Sequence, residues 1–341
     1  MSRVVVGMSG GVDSSVTAAL LVEQGHEVTG VYMKNWSQDL PGMKCPWAED
    51  LADAKRVAVQ LGIDFKVYDF EKEYKEQVVQ YMIDTYKDGR TPNPDIMCNQ
   101  EVKFKLFLEA ALADGAEFIA TGHYARTENG RLLCAKDDNK DQTYFLYRTQ
   151  KSALEKTLFP LGNYTKPEVR ELAKTHNLYT AQKKESMGVC FVGQVGMREF
   201  LGQYVTTEPG EIIEKATRKV LGKHDGALFY TLGQRHGLNI GGGLPYYVVG
   251  KDMVKNEVYV STDLNDEAMW RQNLELGSLH WIGDVQGDGE YEVRIRHRAP
   301  KVRATLRGTN LQLSEAQRAP APGQSAVLYA GDECVGGGII I

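Results

Sequence analysis

The chain has 341 residues, long for one hydrophobic core and comfortable for two or three domains. Its apolar share (42%) and charged share (25%) are those of an ordinary globular protein, and no apolar run of about eighteen residues exists to span a membrane. The net charge of −5 by itself disfavours a nucleic-acid partner, so any such contact has to rest on a local basic patch.

The opening MSRVVVGMSGG lacks the apolar stretch and cleavage site of a signal peptide, from which a cytoplasmic location is expected. RVVVGMS (3–9) reads as a buried strand, followed by a helix from Asp13 to Gln24 and a second strand, EVTGVYMK (27–34). A helix over 47–62, a strand over 64–70, a helix over 71–89, a helix from Cys98 to Ala113 and a strand over 117–122 complete a βαβα order. That order predicts an α/β, doubly wound, mainly parallel sheet. TKPEVRELAKTHNL (165–178) opens with a capping box, Thr165 and Glu168, with Pro167 in its first turn. From Glu208 onward, glycine and short β-rich runs dominate, as in a small antiparallel barrel. The predicted domains are 1–205, 206–272 (a small β-rich central domain) and 273–341 (a C-terminal antiparallel β-barrel).

GMSGGVDSS (7–15) joins the first strand to the first helix. Glycines there let the backbone approach an anion, and the helix N-terminus supplies free N–H groups. The loop lacks the G-K-[ST] ending of a Walker A motif. The cysteines Cys45, Cys98, Cys134, Cys190 and Cys334 are odd in number and widely spaced, which argues against a disulfide scaffold or a zinc site. Most such cysteines are small buried hydrophobes. Cys98 differs: it stands where the stiff stretch TPNPDIM meets a helix start, where a thiolate gains from the dipole, with Asp95 one turn before it. Cys190, in KKESMGVCFVG between two glycines, reads as accessible or as buried with equal weight.

The stretch SGGVDSS resembles the loop of the PP-loop (N-type) ATP pyrophosphatases. This implies a Rossmann-like adenine nucleotide α-hydrolase fold for the first domain. TPNPDIMCNQEVKF, ATGHYAR, KDQTYFLY and KKESMGVCFVG, continued through YTLGQRHGL, YYVVGKD, RIRHR and PGQSAVLY, closely resemble the bacterial tRNA-specific 2-thiouridylases over nearly the whole chain. The resemblance implies that ATP adenylates the C2 oxygen of the wobble uridine and that sulfur replaces it. Cys190 would carry a persulfide from a sulfur-relay protein or a cysteine desulfurase. Cys98 would be the nucleophile, forming a transient disulfide with Cys190 or assisting directly, with Asp95 as its acid/base partner.

By the same resemblance, Gly7, Met8, Ser9, Gly10, Gly11, Val12, Asp13 and Ser14 bind ATP together with Met33 and Gly122. Asn93, Pro94 and Asp95 meet the target base, which is expected to flip out of the anticodon stem-loop. His123, Lys140, Asp141, Gln142, Arg296, His297 and Gln324 touch tRNA. Mg²⁺ is expected with the polyphosphate, with Asp13 as a contributor and no certain protein metal site. Strand alternation sets Arg294, Arg296 and Arg298 on one face, a basic patch for RNA rather than DNA.

Two other readings share part of the pattern. A PP-loop ligase amidating a small molecule has no use for both Cys98 and Cys190. A non-enzymatic RNA-binding protein needs no intact SGGVDS beside Asp95 and Cys98. The sulfur route stays open between a persulfide and an iron–sulfur cluster, for which the cysteines lack the usual spacing.

Overall fold

The computed structural model describes residues 1–39, 45, 47–184, 197–241, 243 and 245–341. Cys190 lies outside the described residues. Strands β1 (Arg3–Gly7), β2 (Glu27–Lys34), β3 (Asp64–Asp69), β4 (Phe118–Ala120) and, after the hairpin β5 (Arg126–Glu128)–β6 (Arg131–Leu133), β7 (Thr157–Leu158) build the first domain. Its sheet runs β3-β2-β1-β4-β7, and every neighbouring pair is parallel. The chain winds outward from β1 to β3 and then returns to the other side of β1. The turns after β1 and β4 therefore share the crevice where doubly wound sheets bind ligands.

Alternation along β1 sorts its side chains between two cores. Val4, Val6 and Met8 pack under α1 (Val12–Glu23), α2 (Trp47–Leu61) and the Lys166–Thr175 helix. Val5 joins Val31 and Ile119 on the opposite face, beneath Ile96, Phe104, Phe107 and Ala111 of the 94–113 helix. The predicted capping box forms: Glu168 accepts from the Thr165 N–H (2.6 Å) and hydroxyl (2.9 Å). These bonds, with Lys136, hold the Glu168 carboxyl down at about 2.

Strands β8 (Gly210–Glu214), β9 (Val220–His224), β10 (Tyr247–Asp252) and β11 (Glu257–Ser261) form a second sheet, ordered β10-β11-β8-β9. Strands β12 (Trp270–Trp281), β13 (Gly289–Arg294), β14 (Val302–Arg307), β15 (Asn310–Arg318), β16 (Ser325–Ala330) and β17 (Glu333–Ile340) run β12-β15-β14-β13-β16-β17, and β12–β17 pairing closes them into a barrel.

The barrel is fused to the first domain. The β5–β6 hairpin, absent from the sequence reading, adds to β17 with Leu133 opposite Glu333 and Leu132 opposite Cys334. Val327, Tyr329 and Cys334 of the barrel share a core with Phe104, Phe107 and Tyr144. Inside this seam Arg294 donates to Asp141 at 2.7 Å, and Asp141 also accepts from Thr143 Oγ1 (2.7 Å) and the Ala135 N–H (3.0 Å).

Two expectations are corrected. The predicted three-arginine face is not formed, because β13 ends at Arg294 and 295–298 turn, with Arg298 at φ +65°. Arg294 is instead buried in the seam. The helix holding Cys98 starts earlier than predicted, with Asn93 at the cap and Pro94 in its first turn.

Arg294→Met should leave the Asp141 charge buried without its cation, costing about 3 kcal/mol by analogy with other broken buried pairs. Urea unfolding should show the loss, and adding Asp141→Asn should recover part of it. An unchanged midpoint would contradict the role given to this pair.

Candidate active site

The loop between β1 and α1 has the geometry of an anion cradle. Gly11 caps α1 without a side-chain bond, so the first amides of the helix have neither an intrahelical partner nor a capping side chain. The hydroxyls brace the turn from within: Ser14 Oγ accepts from the Ser9 N–H at 3.1 Å, and Ser15 Oγ donates to the Gly11 carbonyl at 2.7 Å. Gly10 sits at φ +73°, and a Cβ there would collide with the Asp50 carbonyl. Gly122, just past β4, backs directly onto the loop, since a Cβ there would stand 2.9 Å from the Ser14 nitrogen. Met33 lies against Gly7, its terminal methyl 2.9 Å from where a Cβ would be. The predicted set 7–14, Met33 and Gly122 is thus gathered at one end of the sheet.

Asp13 does not present an open carboxylate. Lys166 Nζ donates to its two oxygens at 2.6 and 2.8 Å, and the Tyr124 hydroxyl donates at 2.9 Å. Lys166 and Tyr124 were missed in the sequence; they lie 153 and 111 residues away, with no local signal. No cluster of three metal-ligating side chains exists among the described residues. These residues do not fit a resident Mg²⁺, so one would enter with a bound polyphosphate.

Cys98 is buried, at 3% exposure, among Trp36, Tyr74, Met82, Phe200 and Leu201. Its N–H points back to the Pro94 and Asp95 carbonyls, so it is not one of the free amides at the helix start. That position belongs to Asp95, in the first turn. The dipole therefore favours the Asp95 carboxylate, while burial pushes its pKa up and Lys103 partly offsets this. From Cys98 the helix widens, and the Phe107 N–H returns to Val102, five residues back. Asn93 caps in extended geometry without using its side chain. Asn99 anchors the helix to the Phe145 carbonyl at 3.0 Å. Burial raises the thiol pKa of Cys45, Cys134 and Cys334, keeping them protonated at neutral pH.

The predicted tRNA contacts divide by exposure. Asp141 is 1% exposed and its side chain is engaged in the seam. His123 is buried between Phe104 and Phe159, bonds Thr121 at 2.8 Å, and is kept neutral by burial. His297 packs on Phe145 with ring centroids 4.6 Å apart; burial and then Arg298 hold it down at about 4. Lys140 and Gln142 are half-buried at the surface of the same loop, Gln142 accepting from the Tyr124 N–H at 2.9 Å. Arg296 is exposed and bonded to the Ala319 carbonyl. Gln324 turns toward the 91–92 backbone.

Three family models match in series: the tRNA methyl transferase HUP domain over 2–194, the tRNA methyl transferase PRC-barrel domain over 198–262 and the Aminomethyltransferase beta-barrel domain over 271–340. The tRNA-specific 2-thiouridylase MnmA of Limosilactobacillus reuteri (strain DSM 20016) is 46% identical over 359 residues, covering 99% of this chain and 95% of the relative. The chain belongs to the tRNA-specific 2-thiouridylase family. The Bacillus subtilis (strain 168) thiouridylase is likewise 46% identical, across 99% of this chain and 95% of its own length. Among solved structures, a 4-thiouridine synthetase–RNA complex with bound ATP aligns with 60% of this chain and 50% of its own, at 19% identity and a TM-score of 0.40.

Within this thiouridylase architecture, Lys166→Met should bare the Asp13 charge toward the phosphate loop and weaken ATP binding about tenfold, the scale of one charge-assisted contact. Adding Asp13→Asn should restore part of it. Calorimetric titration reads both, and an unaltered affinity for Lys166→Met would contradict the account.

Proposed function

We propose that the chain is an ATP-dependent tRNA-uridine 2-sulfurtransferase, converting the wobble uridine to 2-thiouridine with release of AMP and pyrophosphate. The observation that carries this reading is the pairing of a Gly-rich anion cradle after β1 with the Asp95/Cys98 helix start, on a chain that matches thiouridylases along its whole length.

The uridine C2 oxygen attacks the α-phosphorus of ATP, and pyrophosphate leaves against the amides of α1. The C2 oxygen is then a good leaving group. A terminal persulfide sulfur on Cys190, supplied by a relay protein or desulfurase, attacks C2. The Cys98 thiolate takes the Cys190 sulfur, breaking the S–S bond of the persulfide, and AMP departs with the original oxygen. The transferred sulfur gains two electrons, and the two cysteines lose them as a disulfide that an external thiol must reduce. Asp95, whose burial raises its pKa and so makes its carboxylate a stronger base, takes the Cys98 thiol proton as the thiolate forms. Asn93 and Pro94 sit at the same helix start to meet the base. Because Cys98 is buried in a core that includes Phe200 and Leu201, RNA binding has to open this core before sulfur can pass. Arg296, Lys140 and Gln142 are the surface residues proposed to meet the anticodon stem-loop.

Incubation with ATP, a persulfide donor and unmodified tRNA should yield 2-thiouridine by nucleoside mass spectrometry. Cys98→Ser should abolish it, and undiminished product from that variant would sink the reading. Asp95→Asn separates activity from stability. A carboxyl whose native pKa is raised loses folding stability as pH climbs from its unfolded value near 4 through the native one. The Asn variant should thus match wild type at low pH, melt higher at neutral pH, and thiolate more slowly. A lower melting temperature at neutral pH would contradict the burial argument.

A further inference from the structure

The segment leading into the Cys98 helix is short of donors. Pro92 and Pro94 carry no N–H, and the Thr91 N–H is given to the Pro322 carbonyl at 2.8 Å. The carbonyls of Thr91 and Pro92 are met from outside by one side chain. Gln324 Nε2 donates to Thr91 O at 3.0 Å and to Pro92 O at 3.1 Å, using both hydrogens of its amide. Rotating that amide would aim its oxygen at two carbonyls, so the bonds fix its orientation. The barrel turn behind Gln324 is itself pinned, by Gly323 N–H to Ile340 O (2.8 Å) and Ile340 N–H to Gln324 O (2.8 Å). It presses close: Gly323 has φ +92°, and a Cβ there would stand 2.7 Å from Thr91 O. The central domain reaches the same segment, with Thr231 Oγ1 3.0 Å from Thr91 Oγ1.

We propose that Gln324 is a positioning residue, a latch by which the barrel sets the backbone entering the Asn93–Cys98 helix start, rather than a surface contact for RNA. The latch connects the barrel, which also carries Arg296, with the residues expected to meet the base. It rests on the thiouridylase reading for its effect on rate, but its mechanical part does not.

The experiment compares wild type, Gln324→Ala and Gly323→Ala. Hydrogen exchange of the RNA-free protein should show faster exchange in peptides covering 91–100 for both variants. Single-turnover thiolation at saturating tRNA should slow about tenfold or more, as expected when a reacting group is displaced by a fraction of an ångström. The dissociation constant for tRNA should stay within about twofold, a change worth well under 1 kcal/mol. Unchanged exchange in 91–100, or a weaker tRNA affinity with an unchanged rate, overturns the latch. Gly323→Ala keeps Gln324 and pushes on the Thr91 backbone directly, so it decides the matter if Gln324→Ala does not fold. If wild type makes no 2-thiouridine, the functional reading fails, while the exchange data still judge the latch.

Discussion

The buried pair of Arg294 and Asp141 is the constraint on which the site geometry depends. Arg294 ends the barrel strand β13, and Asp141 lies in the first domain's KDQ loop, 153 residues earlier in the chain. Desolvating both charges is costly unless they are paired and bonded; Thr143 and the Ala135 amide satisfy the carboxylate, while the guanidinium lies over the Tyr329 ring with its Nε unpaired. With the pair fixed, the β5–β6 hairpin registers on β17 and one core spans both domains. The barrel then serves as a wall of the catalytic domain. It touches the Cys98 helix at its start through Gln324 and further along through Arg148, which bonds both Gln100 and the Ser278 carbonyl of β12.

The two halves of the site are built by different means. The phosphate cradle is local: a glycine turn, a helix start and hydroxyls within eight residues of one another. The surroundings of Cys98 are assembled from afar, in one core with Trp36, Tyr74, Phe200 and Leu201. In the proposed reaction, a covered Cys98 is kept from attacking the Cys190 persulfide before the base is in place.

Legibility in the sequence followed the same division. The cradle, the parallel sheet and the Thr165/Glu168 box depend on neighbours in the chain, and periodicity and capping rules reveal them. The Cys98 helix start was placed four residues late, although Asn93-Pro94 already carries the cap-then-proline signature. The RIRHR run reads as a strand because its alternation is good, but β13 ends at Arg294 and the chain turns over 295–298, with Arg298 in the left-handed region. Lys166 beside Asp13, the hairpin on the barrel and Gln324 beneath Thr91 are contacts across more than a hundred residues, for which one sequence holds no local sign.

The central claim is that ATP activates the uridine by adenylating its C2 oxygen in the cradle, so that sulfur can displace it. The most direct measurement uses tRNA carrying oxygen-18 at C2 of the wobble uridine, with ATP and a persulfide donor, and follows the label by mass spectrometry. The account predicts that the heavy oxygen appears in the phosphate of AMP, one label for each 2-thiouridine formed. Label recovered in water or in pyrophosphate, with 2-thiouridine still produced, would contradict it.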